Sequence, residues 1–247
     1  MISTDLAIVI PTLNEEKFIG KLLDSILNQT VYPKEIVIVD AYSKDKTIQE
    51  VKKRQSKLPL KYFQIPKNTI SKQRNFGVSK TKAKHILFLD ADMQLRDKDS
   101  LEKYMSGVEA KKPDIAAAYN YPLMSNRKDR VFFFAMNSFF KIIKPFWPMA
   151  NGMNIYVKRD FFEKVGKFNE ALRVGEDHEL VQRSTKLGGK FIYLENVRLY
   201  TSTRRYAKEG RRNYTLKMIY SFFYVLIFGY KENPIEYEFG KHELEKK

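Results

Sequence analysis

Asp90 and Asp92 stand one residue apart where an apolar run, Ile86-Leu87-Phe88-Leu89, comes to an end. The run is short enough for a buried strand, and nothing polar inside it suggests solvent on either face. In an extended chain residues i and i+2 point the same way, so both carboxylates share one face as the strand leaves its sheet. Like charges that close repel each other. A divalent cation relieves the repulsion, and Mg2+ or Mn2+ held by one or two carboxylates plus a substrate's phosphates is a common arrangement. The plainer alternative is a polar turn after a strand, and the surrounding elements have to decide.

Those elements follow from the hydrophobic pattern. Residues 6–11 (LAIVIP) and 35–40 (EIVIVD) read as buried β-branched strands, 60–65 (LKYFQI) as a more exposed one, and 85–90 (HILFLD) as another. Between them, residues 15–30 place Phe18, Leu22 and Ile26 on one helical face with Ile19 and Leu23 beside it, while 45–57 and 71–83 are shorter amphipathic candidates. This β-α-β-α-β alternation predicts an α/β fold, a Rossmann-like and mostly parallel sheet flanked by helices, with ligands bound beyond the carboxyl ends of the strands. Pro11, Asp40 and Asp90 all fall at such ends, so three strands deliver marked residues to one rim. Residues 174–188 predict a helix beginning near Glu176, with Leu180, Val181 and Ser184 turned inward and Gly188 or Gly189 closing it. No linker, repeat or low-complexity stretch divides the chain, which reads as one domain.

Composition narrows the partners. The 247 residues, 43% hydrophobic and 14% aromatic, support a substantial core. There is no cysteine, which excludes disulfides, thiolate metal sites and a cysteine nucleophile and fits a cytosolic protein. His85, His178 and His242 are too scattered for a histidine metal site. A net charge of +16 and a pI near 9.7 call for a polyanionic neighbour: nucleic acid, anionic lipid head groups or a phosphorylated substrate. The N-terminus shows no basic leader and too short an apolar run for a secretory signal, so it reads as mature structure.

Six blocks then fall in a telling order: VIPTLNEEKFIGKLLDSILNQT, EIVIVDAYSKDKT, SKQRNFG, ILFLDADM, NGMNIYVKRDFFEKVGKFNEAL and GEDHEL. Over roughly residues 5–210 the chain resembles inverting family 2 glycosyltransferases of the GT-A fold. The resemblance implies a metal-dependent, inverting transfer of a single sugar from a nucleotide-diphosphate sugar, UDP- or GDP-linked, to a hydroxyl or phosphate of an acceptor in glycan or cell-envelope biosynthesis. It also implies a GT-A domain over 1–210, with a nucleotide-binding half (1–100) and an acceptor half (101–210), before an apolar helix and charged tail at 211–247.

Residue by residue, the resemblance points to Pro11, Thr12, Asn14 and Glu15 on the nucleotide, with Asp40 reading the base or ribose. A uracil N–H suits an ionised carboxylate. Locally, Asn14 also suits a helix cap and Asp40 a turn. Many relatives carry a second acidic residue after Asp40, whereas Ala41-Tyr42 stands here, which loosens the assignment to uracil. Lys72, Arg74 and Asn75 are the expected diphosphate contacts, Arg74 foremost, since a cation over the diphosphate stabilises leaving-group charge. In Asp90-Ala91-Asp92, Asp92 is the expected metal ligand, and Asp90 holds the ribose or joins the metal's shell. Asp177 is the implied base on the acceptor hydroxyl, aimed from a helix N-terminus, with Glu176 orienting it or touching the acceptor. Acidic decoration of a helix start is the bland alternative. Asn151, Gly152 and Asn154 are expected by the donor sugar or acceptor, and Arg204 and Arg205 as phosphate clamps. The Gln-x-x-Arg-Trp signature of processive synthases is absent, so one sugar per encounter is expected.

Two apolar stretches remain, 130–147 with interleaved lysines and 213–230, interrupted chiefly by Lys217 and Ser221 and preceded by RRYAKEGRR. They suit either an interfacial anchor on an anionic membrane, at the cytoplasmic face, or packing on each other or in a dimer. The membrane reading brings a polyprenyl-phosphate or lipid-linked glycan acceptor with it. Two other function classes compete. A sugar-phosphate nucleotidyltransferase shares the architecture and a metal but normally has a glycine-rich first loop, which PTLNEE lacks. A non-catalytic basic module on membrane or nucleic acid would need the positive charge alone and no carboxylates at strand ends, which makes nucleic acid the weaker partner.

Overall fold

Alternation along the first strand sets up two apolar layers. Leu6, Ile8 and Ile10 face one side of the sheet and Ala7 and Val9 the other, all fully buried. Only a strand covered by helices on both faces is apolar throughout. The structure, a computed structural model, describes residues 2–66, 69–123 and 126–230, the side chains of residues 2, 3, 205, 207 and 208 excepted. Arg205's side chain and the charged tail at 231–247 therefore lie outside the described residues.

The elements run β1 (Ile2–Thr12), α1 (Ile19–Leu27), β2 (Val31–Asp40), α2 (Thr47–Lys52), β3 (Leu60–Gln64), α3 (Ile70–Ser79), β4 (His85–Leu89), β5 (Met93–Gln94) and α4 (Ser100–Lys111). They continue β6 (Ile115–Pro122), α5 (Arg127–Ile143), β7 (Asn154–Lys158), α6 (Arg159–Lys164), α7 (Glu176–Lys186), β8 (Phe191–Thr201), α8 (Arg204–Glu209) and α9 (Arg211–Phe228). The eight strands form one sheet in the order β3-β2-β1-β4-β7-β6-β8-β5. From β3 to β4 the neighbours are parallel, and the register sets Thr12 beside Asp40 and Asp40 beside Gln64 at the carboxyl rim.

Beyond β4 the sheet is mixed rather than uniformly parallel. β7 runs antiparallel to both β4 and β6, while β6 and β8 are parallel. The reversal matters for function. β6 ends at the rim, α5 and its following loop return the chain to that rim, and β7 starts there with Asn154 opposite Leu89. Asn151 and Gly152, just before β7, are thereby delivered beside Asp90, whose N–H donates to the Met153 carbonyl at 3.0 Å. Asn154 itself is fully buried and bonded to Ala118 and Asn120, so it braces β7 against β6 instead of facing a ligand.

Helix α7 ends as its glycines predict. Gly188 adopts φ +80°, its N–H donates to the Thr185 carbonyl, and the Gly189 N–H donates to Ser184, satisfying two carbonyls that the last turn would otherwise leave open. Leu180, Val181 and Ser184 are buried, as expected for the inward face.

Candidate active site

The nucleotide-side loops come first, because β1 and β2 deliver them. Asp40 is fully buried and both its oxygens are engaged: Thr12 Oγ1 donates at 2.9 Å, the Ser43 N–H at 2.8 Å and Gln64 Nε2 at 3.2 Å, with Ser43 Oγ donating as well. Asp40 thus ties the ends of three adjacent strands together, and a nucleobase reaching its oxygens has to displace Ser43 or Gln64. Asn14 sits at φ +56°, a conformation asparagine tolerates better than most residues. Its N–H donates to Ser43 Oγ and its side-chain oxygen accepts from the Lys44 N–H, so it locks the two loops together and caps no helix. Pro11 is buried below.

Arg74 is the centre of the site, held by partners that the sequence did not name. It is 1% exposed. One Nη donates to Glu176 at 3.0 Å, the other to Asp90 at 3.0 Å and to the Gly152 carbonyl at 2.8 Å, and the guanidinium lies 5.2 Å from the centre of the Phe168 ring. A planar fork with donors on two edges can hold two carboxylates at once, which a lysine cannot. Arg74 therefore lies beneath the rim as a tie between α3, the Asp90 loop and α7. Asn75 is likewise a brace: its carboxamide bonds the Phe168 backbone in both directions and Glu170, because α3 turns it toward that loop. Lys72 is exposed on the same helix. Gln73, unremarked within SKQRN, is buried and donates to the Thr12 and Val39 carbonyls, holding the strand ends.

Asp177 occupies the second position of α7. Its Oδ2 accepts the Gly152 N–H at 2.6 Å, its Oδ1 accepts the His178 N–H at 2.8 Å, and the side chain keeps 16% of its surface open. A carboxylate offers about four acceptor sites. Two are spent on orientation, which leaves the others for a hydroxyl. A Cβ at residue 152 would stand 2.6 Å from Asp177 Oδ2, so glycine alone permits this approach. Burial pushes the Glu176 carboxyl up to about 7, reinforced by Asp177 and Asp90, while Arg74 opposes the shift. One guanidinium faces three carboxylates, and a proton on Glu176 relieves the excess. Glu176 is thus buried against Arg74, next to Asp177 in the chain.

Asp90 and Asp92, with their neighbours, complete the rim. Asp92 meets Arg204 Nε at 3.2 Å, and the two Nη atoms of Arg204 form a bidentate pair with Glu15 at 2.7 Å each. The guanidinium also covers the Phe18 ring at 4.4 Å. Backbone bonds reinforce the closure, since the Ser202 N–H donates to the Asp92 carbonyl and the Glu15 N–H to Thr47 Oγ1. Ala91 is buried between the two aspartates. Among the described residues no group of three or more acidic or histidine side chains is placed to hold a metal unaided. Asp92 with Asp90 is a one- or two-carboxylate donor set, which suits Mg2+ or Mn2+ shared with substrate phosphates and waters. The cationic Arg204 already on Asp92 marks that carboxylate as one that takes a positive partner.

Two groups escaped the sequence reading. Ser43 lay within a quoted block but carried no separate signal. Tyr230 lies against the start of α7, its ring about 3.2 Å from where a Cβ on Gly175 would sit, and burial with Asp177 and Glu179 nearby pushes its phenol up.

With that geometry in place, comparison with known proteins identifies the class. The profile for glycosyl transferase family 2 matches residues 7–166, and the chain belongs to that family. Its sheet and helices are those of the GT-A fold. Poly(ribitol-phosphate) beta-N-acetylglucosaminyltransferase TarS of Staphylococcus aureus is 33% identical over 114 residues, covering 44% of this chain and 20% of that protein. O-antigen chain rhamnosyltransferase RfbN of Salmonella typhimurium is 27% identical over 208 residues, 76% of this chain and 63% of that protein. The chain therefore spans from one fifth to under two thirds of the length of these relatives. Among solved structures, S. aureus TarS 1–349 in complex with UDP-GlcNAc superposes with a TM-score of 0.65 at 23% identity, covering 81% of this chain and 59% of that one. Mannosyltransferase PcManGT from Pyrobaculum calidifontis, in complex with GDP-Man and Mn2+, gives 0.70 at 19% identity, covering 88% and 61%. At these identities the likeness is one of fold.

Proposed function

We propose that this chain transfers one sugar from a UDP- or GDP-sugar to an acceptor hydroxyl with inversion at the anomeric carbon. The observation that carries the reading is the convergence of five carboxylates from three separate stretches of chain: Glu15 and Asp92 around Arg204 at the rim, and Asp90, Glu176 and the neighbouring Asp177 around the buried Arg74 beneath it. The solved relatives of this fold that hold UDP-GlcNAc, or GDP-Man with Mn2+, support it.

In this reading the loops at 11–15 and 40–43 seat the nucleoside, and Asp92 with Asp90 holds Mg2+ or Mn2+ against the diphosphate. When bound, the cation supplies Lewis-acid neutralisation of the leaving group. Arg204 exchanges its place on Asp92 for a place on the phosphates, kept within reach by Glu15. Asp177 accepts the proton of the acceptor hydroxyl. That oxygen forms its bond to the anomeric carbon as the carbon–oxygen bond to the diphosphate breaks, and the nucleoside diphosphate leaves with the bonding electrons. The test is calorimetric titration of UDP and GDP with and without Mn2+. Metal-enhanced binding of one nucleotide is expected in the native chain, falling at least about tenfold in Asp92→Ala, since removing a charge-assisted interaction from a desolvated site costs about that much. Equal binding in the variant would remove the metal assignment.

The acceptor is proposed to be lipid-linked, a polyprenyl phosphate or a glycan carried on one, met at the anionic face of a membrane. α5 and α9 pack through Phe139 on Phe222 and Phe132 on Tyr214, and Arg211 of α9 bonds Asp129 of α5. Their outer faces stay open. Phe134, Ile142, Ile219, Phe223 and Ile227 are exposed along these helices, whose first turns carry the exposed basic residues Arg127, Lys128, Arg130 and Arg212. Apolar side chains fringed by cations are the makings of an interfacial surface. Among the described residues no helix is long and apolar enough to cross a membrane. Flotation with vesicles containing phosphatidylglycerol should carry the protein upward at low salt and lose it in Phe134→Ser/Phe223→Ser; a chain that stays with the soluble fraction in both forms has no such surface.

A further inference from the structure

A second cleft of about 460 Å3 lies at the far end of α5 and is lined by residues that the transfer chemistry does not use: Lys144, Phe146, Trp147, Gln182, Thr185 and Lys186. We propose that it binds an anionic saccharide, a sugar carrying phosphate or carboxylate, as an acceptor subsite beyond the point of transfer. The role as acceptor subsite rests on the transferase reading; the binding itself does not.

Three observations lead there. Gln182 is 8% exposed, and its Nε2 is buried with no hydrogen-bond partner, although a buried amide donor left unmade is costly and uncommon. A turn of the carboxamide toward the cleft that Gln182 lines would let a ligand oxygen complete it. The lining has two cations and no carboxylate, and Lys144 lies 5.9 Å over the Phe191 ring, which holds its ammonium at the cleft. Phe146 is 82% exposed with Trp147 beside it, an unusual outlay of aromatic surface next to amide and ammonium donors. Aromatic faces for the apolar side of a pyranose ring and donors for its oxygens are complementary to a charged sugar, not to a purely apolar guest.

The segments that line the cleft also lead toward the reacting rim. His178, Gln182 and Lys186 stand at i, i+4 and i+8 and so share one face of α7. His178 Nε2 is 3.8 Å from Asp177 Oδ2, and Lys186 lies ~12 Å along the helix from His178 at 1.5 Å per residue. On the other side the Lys144–Pro148 segment runs directly into Asn151 and Gly152, whose N–H holds Asp177. Two stretches of chain thus run from the subsite toward the base, and the distance along α7 is comparable to the length of a short oligosaccharide.

Trp147 is the only tryptophan in the chain, so its fluorescence reports on this cleft alone. Glucose 1-phosphate, titrated into the full chain with saturating UDP present, should shift the emission saturably, with glucose and inorganic phosphate each binding about tenfold more weakly. Lys186→Ala, at an exposed side chain, and Gln182→Leu should each weaken the response about tenfold, and Gln182→Leu should keep the native melting temperature because it deletes an unpartnered amide. An unmoved spectrum, an equal response to inorganic phosphate or glucose alone, a response present only without UDP, or unweakened binding in both variants overturns the proposal. Calorimetry of UDP separates the two readings: nucleotide binding with a silent tryptophan removes only the subsite, and failure to bind any nucleotide removes the transferase reading.

Discussion

Asp177→Asn is expected to bind the donor nucleotide with unchanged affinity and to lose sugar transfer by ~10²–10⁴-fold, the usual contribution of a positioned general base. The geometry makes the substitution a fair test. The introduced carboxamide would present one oxygen where the carboxylate presents two, so it can still accept from Gly152 or His178 but not from both in the same way. The unmatched N–H costs about 1–3 kcal/mol of stability, and a thermal melt shows whether the fold survives. Transfer is followed with the sugar nucleotide that best supports metal-dependent hydrolysis. Turnover near the native rate in a folded, nucleotide-binding Asp177→Asn would remove Asp177 as the base.

The second large effect belongs to Arg74. Breaking a buried ion pair from one side strands the other, and here two partners, Asp90 and Glu176, are stranded together. Arg74→Ala should cost about 3–5 kcal/mol in urea denaturation at pH 8, with Asp90 and the Gly152 loop losing their common anchor. The loss should depend on pH. The Glu176 carboxyl stands at about 7 in the fold against an ordinary 4.5, so between those values the native state holds the extra proton. Native stability therefore falls as pH rises from about 4.5 to about 7 and is level above. Arg74 opposes that upward shift, so without it the decline extends to higher pH, and the deficit of the variant is largest at pH 8 and shrinks toward pH 5. A deficit below about 1 kcal/mol at both values would show that the tie carries little. Arg74→Lys keeps a charge but cannot span both acids, and should recover less than half of the loss.

Arg204 shows why the rim is held from two sides. Its bidentate pair with Glu15 and its approach to Asp92 bring the start of α8 over the strand ends. The same guanidinium that pairs with Asp92 is fixed by Glu15, so one side chain joins α8 to the β1 and β4 loops and balances the charge of both acids.

Local pattern was enough to determine where most of this machinery begins. Alternation and β-branched runs place Pro11, Asp40 and Asp90 at strand ends, because burial on both faces leaves a strand nowhere to put a carboxylate except past its last residue. The glycines at 188 and 189 and the acidic pair at 176–177 mark both ends of α7 for equally local reasons, a left-handed residue after the last turn and negative charge at the first. What each side chain does at the rim was decided by tertiary structure. Arg74 and Glu176 are 102 residues apart and Arg204 and Glu15 are 189 apart. Gly152 meets Asp177 only because β7 runs against its neighbours and starts at the rim. Periods of two and 3.6 residues report which face of an element is buried; they carry no record of which distant element covers it. So Arg74, which the sequence offered as a diphosphate contact, is found buried on Asp90 and Glu176, and Tyr230, which ends an apolar helix in the sequence, stands beside the proposed base.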